Sequence, residues 1–158
     1  MSATDKGYIS GGKIQESSYA ITDLDATEVA LAQQITGGLD KKGVLTESLV
    51  DSVAQRQGLT EIVGGKYGNN NGFDHVYETS DGKVYLLESK QINGGISLGS
   101  TVNNVQMSSD WVSAVLSKLD SSSPAYAAVK NAVDDGTLVK GVIGVDRSTG
   151  KLVMVKLK

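Results

Sequence analysis

Cysteine is absent from this 158-residue chain. That excludes a disulfide framework, thiol chemistry and cysteine-ligated zinc. It also suits a domain that crosses between compartments without redox trapping. Histidine occurs once, at His75, so Ser-His-Asp hydrolysis can run only through that residue. No run of about 18 apolar residues is present, and no membrane span is expected. Met1-Ser2-Ala3-Thr4 lacks the basic and apolar regions of a signal peptide. Positive charge is also scarce, with 15 basic residues against 18 acidic ones and a net charge of −3. A polyanion-binding protein usually has the opposite balance. The deficit is uneven, however. Residues 1–81 carry 6 basic and 12 acidic groups, whereas residues 82–158 carry 9 and 6. Lys140, Arg147, Lys151, Lys156 and Lys158 face Asp146 alone near the C-terminus. They are expected either to build a phosphate-binding face or to decorate an edge strand against aggregation.

What is present is concentrated in one stretch. Phe73–Glu78 and Lys83–Lys90 are rich in β-branched and aromatic residues and flank Ser80-Asp81-Gly82, a turn signal. A three-residue loop ending in a glycine bulge pairs Thr79 with Lys83 and therefore Asp74 with Glu88. Opposed Cβ atoms lie roughly 4.5–5.5 Å apart, within reach of one divalent ion. A two-residue loop would put Asp74 opposite Ser89 and turn the two acids to opposite faces. Two like charges this close repel unless a cation lies between them. Asp74 and Glu88 are therefore the expected metal ligands, with Mg²⁺ or Mn²⁺ the expected ion and Zn²⁺ an alternative. Lys90, two residues beyond Glu88, shares its face and suits orienting water or stabilising a charged phosphate. An ordinary salt-bridged surface hairpin is the bland alternative.

The flanking pattern predicts helices at residues 26–35, capped by Asp25, and at 47–57, capped by Thr46. A first strand at residues 59–67 is interrupted at Gly64-Gly65. Residues 68–72 form a tight Asn-rich turn before the hairpin, and residues 93–105 a polar loop. Ser108 or Ser109 caps a third helix. Ser123, with Pro124 behind it and Gly136 beyond its end, frames a fourth. Strands at 138–145 and 151–157 close the chain. Residues 1–20 show no period and read as a flexible arm or linker, leaving 21–158 as one domain. The expected class is α/β (α+β), with a central mixed sheet flanked by helices.

Asp74 with Glu88-Ser89-Lys90 resembles the D…(D/E)xK motif of the PD-(D/E)xK nucleases, which have the restriction-endonuclease-like fold. The expected element order contains their αβββαβ core. Gly68–Tyr77 resembles the GNxGxDHVY stretch of bacterial polymorphic-toxin endonuclease domains, and Gln106–Val112 resembles their QMSDxW stretch. The match covers about residues 59–119. It implies a divalent-metal-dependent endonuclease acting on DNA, exported within a larger contact-dependent inhibition toxin. It would act in the target-cell cytoplasm and be blocked by a cognate immunity protein. The same fold acting on tRNA and a non-catalytic binding module are the alternatives. The resemblance also implies the Ser89 carbonyl as a further metal ligand.

Other residues support this outline less directly. Glu47, at the edge of the apolar face of the second helix, is a candidate third carboxylate or simply a favourable acid at a helix start. Glu61 is the second choice. Gln106 is expected to position water or to satisfy the backbone before its helix. His75 and Trp111 read as core, and Lys66 as a solvated lysine.

Overall fold

The computed structural model describes residues 8–9, 14–96 and 105–158. In chain order the elements are β1 (Gln15–Ile21), α1 (Ala26–Thr36), α2 (Val44–Arg56), β2 (Thr60–Glu61), β3 (Lys66–Tyr67), β4 (Asn71–Gly72), β5 (His75–Glu78) and β6 (Val84–Ser89), followed by α3 (Ser109–Lys118), α4 (Pro124–Asp135), β7 (Val139–Asp146) and β8 (Lys151–Leu157). The described residues are thus mixed α/β, with four helices and a mixed sheet. They fall into two compact units. One comprises residues 1–57, 89–97 and 142–158, and the other residues 58–88 and 98–141.

In the first unit β1 pairs antiparallel with β8. The chain after β6 runs beside β7, with Lys90 N–H donating to the Ile143 carbonyl and Ile92 N–H to that of Val145. That pairing is parallel at Ile92 and Asp146, which is what makes the sheet mixed. The approach is close. A Cβ on Gly144 would lie 1.7 Å from the Lys90 carbonyl oxygen, so only glycine fits there. α1 packs on α2, and Ile35, Leu49, Val50 and Val53 are buried. Burial of each such side chain contributes roughly 1.5–3 kcal/mol. Asp25 caps α1 through a reciprocal box, accepting from Glu28 N–H while Glu28 accepts from Asp25 N–H.

Two expectations are corrected here. Residues 15–20, assigned to a flexible arm, belong to β1. Only Ser18 of this strand is buried, and backbone pairing to β8 rather than apolar alternation holds it. The start of α2 is Val44, and Thr46 does not cap it. Asp40 takes that role from outside the helix, accepting from Leu45 N–H at 2.7 Å and Thr46 N–H at 3.1 Å. The remaining arm residues 1–7 and 10–13, and residues 97–104 of the polar loop, lie outside the described residues.

In the second unit β5 pairs antiparallel with both β6 and β2. The anticipated first strand is two short pieces, β2 and β3, separated at residues 62–65. Gly64 sits against Ser123, and the Ala125 N–H bonds the Val63 carbonyl, which draws the chain away from the ladder. The Asn-rich turn is the tip of a small hairpin, β3 on β4. Ser108 caps α3 and Ser123 caps α4, each side chain accepting from an N–H in the first turn. Phe73 meets Trp111 edge-to-face with centroids 5.6 Å apart, among buried Val76, Leu86 and Val112.

Candidate functional site

The β5–β6 turn determines which side chains face one another. Thr79 N–H donates to the Lys83 carbonyl at 2.9 Å, and Gly82 N–H to the Thr79 carbonyl. Gly82 has φ of +88°, a left-handed conformation that glycine adopts without strain. The loop is therefore the three-residue form. His75 pairs with Leu87, Val76 with Leu86, Tyr77 with Tyr85 and Glu78 with Val84. One step further along the same register puts Asp74 opposite Glu88.

The two carboxyl groups do interact. Burial pushes the Asp74 carboxyl up, but hydrogen bonds from Lys66 and Glu88, and the charges of Lys66 and His75, outweigh it. Asp74 is held below the usual carboxylate range. Glu88 is only 8% exposed. The Lys66 ammonium completes the group at 2.9 Å from Asp74 Oδ1. Lys66 is thus bound at the acid pair, which corrects its reading as a solvated lysine. The β3–β4 pairing of Lys66 with Gly72 folds it back beside the start of the hairpin.

A cavity of about 200 Å³ opens beside these residues. Glu61, Lys66 and Asp74 supply its charged lining, with Gly65, Phe73 and Val76 behind them. Glu61 is exposed. His75 is buried, with its Nδ1 3.1 Å from the Tyr77 hydroxyl and the two rings stacked. Its ring stands in the core.

The remaining candidates are placed as follows. Ser89 and Lys90 line a second cavity, of about 510 Å³, with Lys42, Thr46 and Gln91. Glu47 is exposed in the first turn of α2, in the same unit as Lys90. Gln106 is half-buried in the turn before α3. Beside it, Met107 has φ of +72° and offers its carbonyl to the Lys140 ammonium at 2.7 Å. Lys140 is buried, and burial pushes its ammonium below the usual lysine range.

Two of the basic residues near the C-terminus are engaged within the protein. Lys140 is withdrawn into the second unit, and Lys156 is paired with Glu16 at 3.0 Å. Among the described residues no group of three or more His, Cys, Asp and Glu side chains is arranged to hold a metal ion. Two hard oxygen donors are nonetheless present in Asp74 and Glu88. Such a pair fits a hard cation that draws its other ligands from water and phosphate. An ion between them would offset the repulsion of two like charges, so the pair is chemically suited to one. Lys66 and Lys140 were the residues that sequence reasoning missed. The signal for Lys66 lay in the Gly-Asn turn, which makes residues 66 and 72 neighbours. For Lys140 no signal distinguishes a buried lysine from an exposed one.

Comparison of the chain with protein-family models, with curated proteins and with solved structures gave no match.

Proposed function

We propose that this chain is a divalent-metal-dependent endonuclease with a restriction-endonuclease-like core, hydrolysing phosphodiester bonds of DNA. One observation carries the reading. Asp74 and Glu88 face each other across a hairpin, and the Lys66 ammonium lies 2.9 Å from Asp74. A hairpin built only for stability would pair one acid with one base. Two acids together cost energy unless a cation is to be bound there.

In this reading Asp74 and Glu88 hold a Mg²⁺ or Mn²⁺ ion, and the Ser89 carbonyl, next in the chain, joins them. When bound, the ion supplies an activated water and neutralises charge on the phosphate. The protein's own residues do the rest. Asp74, already favoured as the anion, binds without first losing a proton. Lys90 orients the attacking water, Gln106 positions it, and Glu47 is a candidate further carboxylate. The chain is the delivered part of an exported bacterial toxin acting in a target cell, and an immunity protein covers its site or substrate face.

The experiment is incubation of the purified protein with supercoiled plasmid and, separately, total tRNA. Each is run in EDTA, Mg²⁺, Mn²⁺ or Zn²⁺, beside Asp74→Ala and Lys90→Ala. Metal-dependent loss of plasmid, abolished in both variants, is the expected result. Loss of tRNA alone keeps the site and changes the substrate. Cleavage that survives both substitutions moves the chemistry elsewhere. No cleavage in any metal leaves a binding module.

A further inference from the structure

Among the described residues the second cavity is lined by two lysines and no acid. Lys42 and Lys90 contribute its charged groups, and Gly43, Thr46, Ser89 and Gln91 contribute polar side chains or backbone. All of these residues lie in the first unit. The acid that contacts this lining is Asp40, which is 6% exposed. Its carboxylate is already engaged by Leu45 N–H, Thr46 N–H and the Thr46 hydroxyl. Gln91 is tied by its amide to the Asp40 carbonyl at 2.8 Å. Glu47, the next residue on α2, is exposed and outside the lining. Among the described residues neither lysine ammonium makes an ion pair or hydrogen bond. Two cations thus face one solvent-filled space with no counter-charge of their own.

The backbone adds an independent observation. Lys42 has φ of +62° and Gly43 φ of +78°. A left-handed lysine is disfavoured, because its Cβ crowds the following carbonyl. The chain keeps a lysine there, at the rim of the cavity, although glycine would remove the strain.

We propose that this cavity binds a phosphate group, with Lys42 as the residue that recognises it. Resting on the nuclease reading, the phosphate belongs to the backbone of the nucleic-acid substrate. Lys42 then supplies affinity and register without touching the reacting bond, as phosphate contacts generally do.

The test uses the full chain in EDTA, so that nothing is cleaved. A short DNA duplex and tRNA are titrated by fluorescence anisotropy over a range of salt. Sodium pyrophosphate is titrated by amide NMR. The proteins are wild type, Lys42→Glu, Lys42→Arg and Lys42→Gly. Lys42→Gly removes the charge while relieving the strained backbone, so its melting temperature should rise and weak binding in it cannot be blamed on misfolding.

The expected result is about a tenfold loss of nucleic-acid affinity in Lys42→Glu and a smaller loss in Lys42→Gly. The slope of log K against log salt should fall by about one contact in both, and Lys42→Arg should bind as wild type. Unchanged affinity and slope in Lys42→Glu and Lys42→Gly would overturn the inference and leave the nuclease reading intact. A further outcome is that wild type binds no nucleic acid while pyrophosphate shifts the Gly43, Thr46 and Gly95 amides only when Lys42 is present. In that case the phosphate site stands and the nuclease reading falls. If neither nucleic acid nor pyrophosphate reaches the cavity, the site is overturned.

Discussion

Glu28 in the first unit and Asp74 in the second are both acids drawn out of water beside a cation, yet their surroundings differ. Glu28 is fully buried and fully satisfied. The Arg56 guanidinium grips it through Nη2 at 2.7 Å and Nε at 3.1 Å. The Ser52 hydroxyl donates at 2.6 Å and Asp25 N–H at 3.0 Å. The Arg56 bonds lead, and with those from Ser52 and Asp25 they overcome burial, holding the carboxyl at about 2. Asp74 instead faces a second acid, Glu88, and meets an ammonium on a lysine about a third exposed at one oxygen. Every lone pair of Glu28 has a protein partner, and such a group has nothing left to offer a ligand. Asp74 is balanced by one partly exposed lysine, which an ion could displace. Burial and a shifted pKa are common to both acids, so only the quality of the counter-charge separates a strut from a site.

The largest way to break this comparison is to neutralise each acid in turn. Asp74→Asn should lower nucleic-acid cleavage by at least about a hundredfold while changing stability by under about 1 kcal/mol. Glu28→Gln should do the reverse, lowering the melting temperature and leaving cleavage by the folded protein unchanged. Cleavage assays and thermal melts on the same two proteins decide it. Arg56→Ala strands a buried carboxylate. Because the guanidinium is itself a third exposed, the loss of stability should be smaller than for a fully buried pair. Denaturant unfolding measures this.

The pH dependence sharpens the contrast further. A carboxyl whose folded value lies below its unfolded one stabilises the fold above the unfolded value and loses that contribution as pH falls. For Glu28 the loss runs from the ordinary 4.5 down through about 2. Wild type should therefore lose more stability across that window than Glu28→Gln does, as read by melting temperature against pH. Asp74 contributes in the same direction below its ordinary 3.8. The smallest effect is expected from Lys66→Met. The pair it breaks is about a third exposed on the lysine side, so stability should move by under about 1 kcal/mol. Removing a competing cation should instead tighten Mn²⁺ binding several-fold by calorimetry. An unchanged Mn²⁺ affinity would mean that Lys66 does not compete at the acid pair.

The hairpin was legible because its register hangs on one local choice, the left-handed Gly82, and local choices are written in sequence. The caps at Asp25, Ser108 and Ser123 were legible for the same reason. β1 was not, because its residues are mostly polar and its pairing with β8 joins distant parts of the chain. Thr46 looked like a cap because a threonine before an apolar run usually is one, whereas Asp40 does the capping across a loop. Within the candidate site, Asp74 and Glu88 followed from register alone. The lysine bound to Asp74 did not, since Lys66 reaches it only after a separate turn has folded back. Lys42 and Lys90 share a cavity for a reason no spacing reveals.

The contact between Gly144 and the Lys90 carbonyl gives the molecule a handle. A single methyl group at position 144 would have to drive that carbonyl away by more than an ångström, displacing the backbone that carries Lys90 while leaving every side chain of the candidate site chemically intact. Position 144 is therefore where the placement of Lys90 can be tuned separately from its charge.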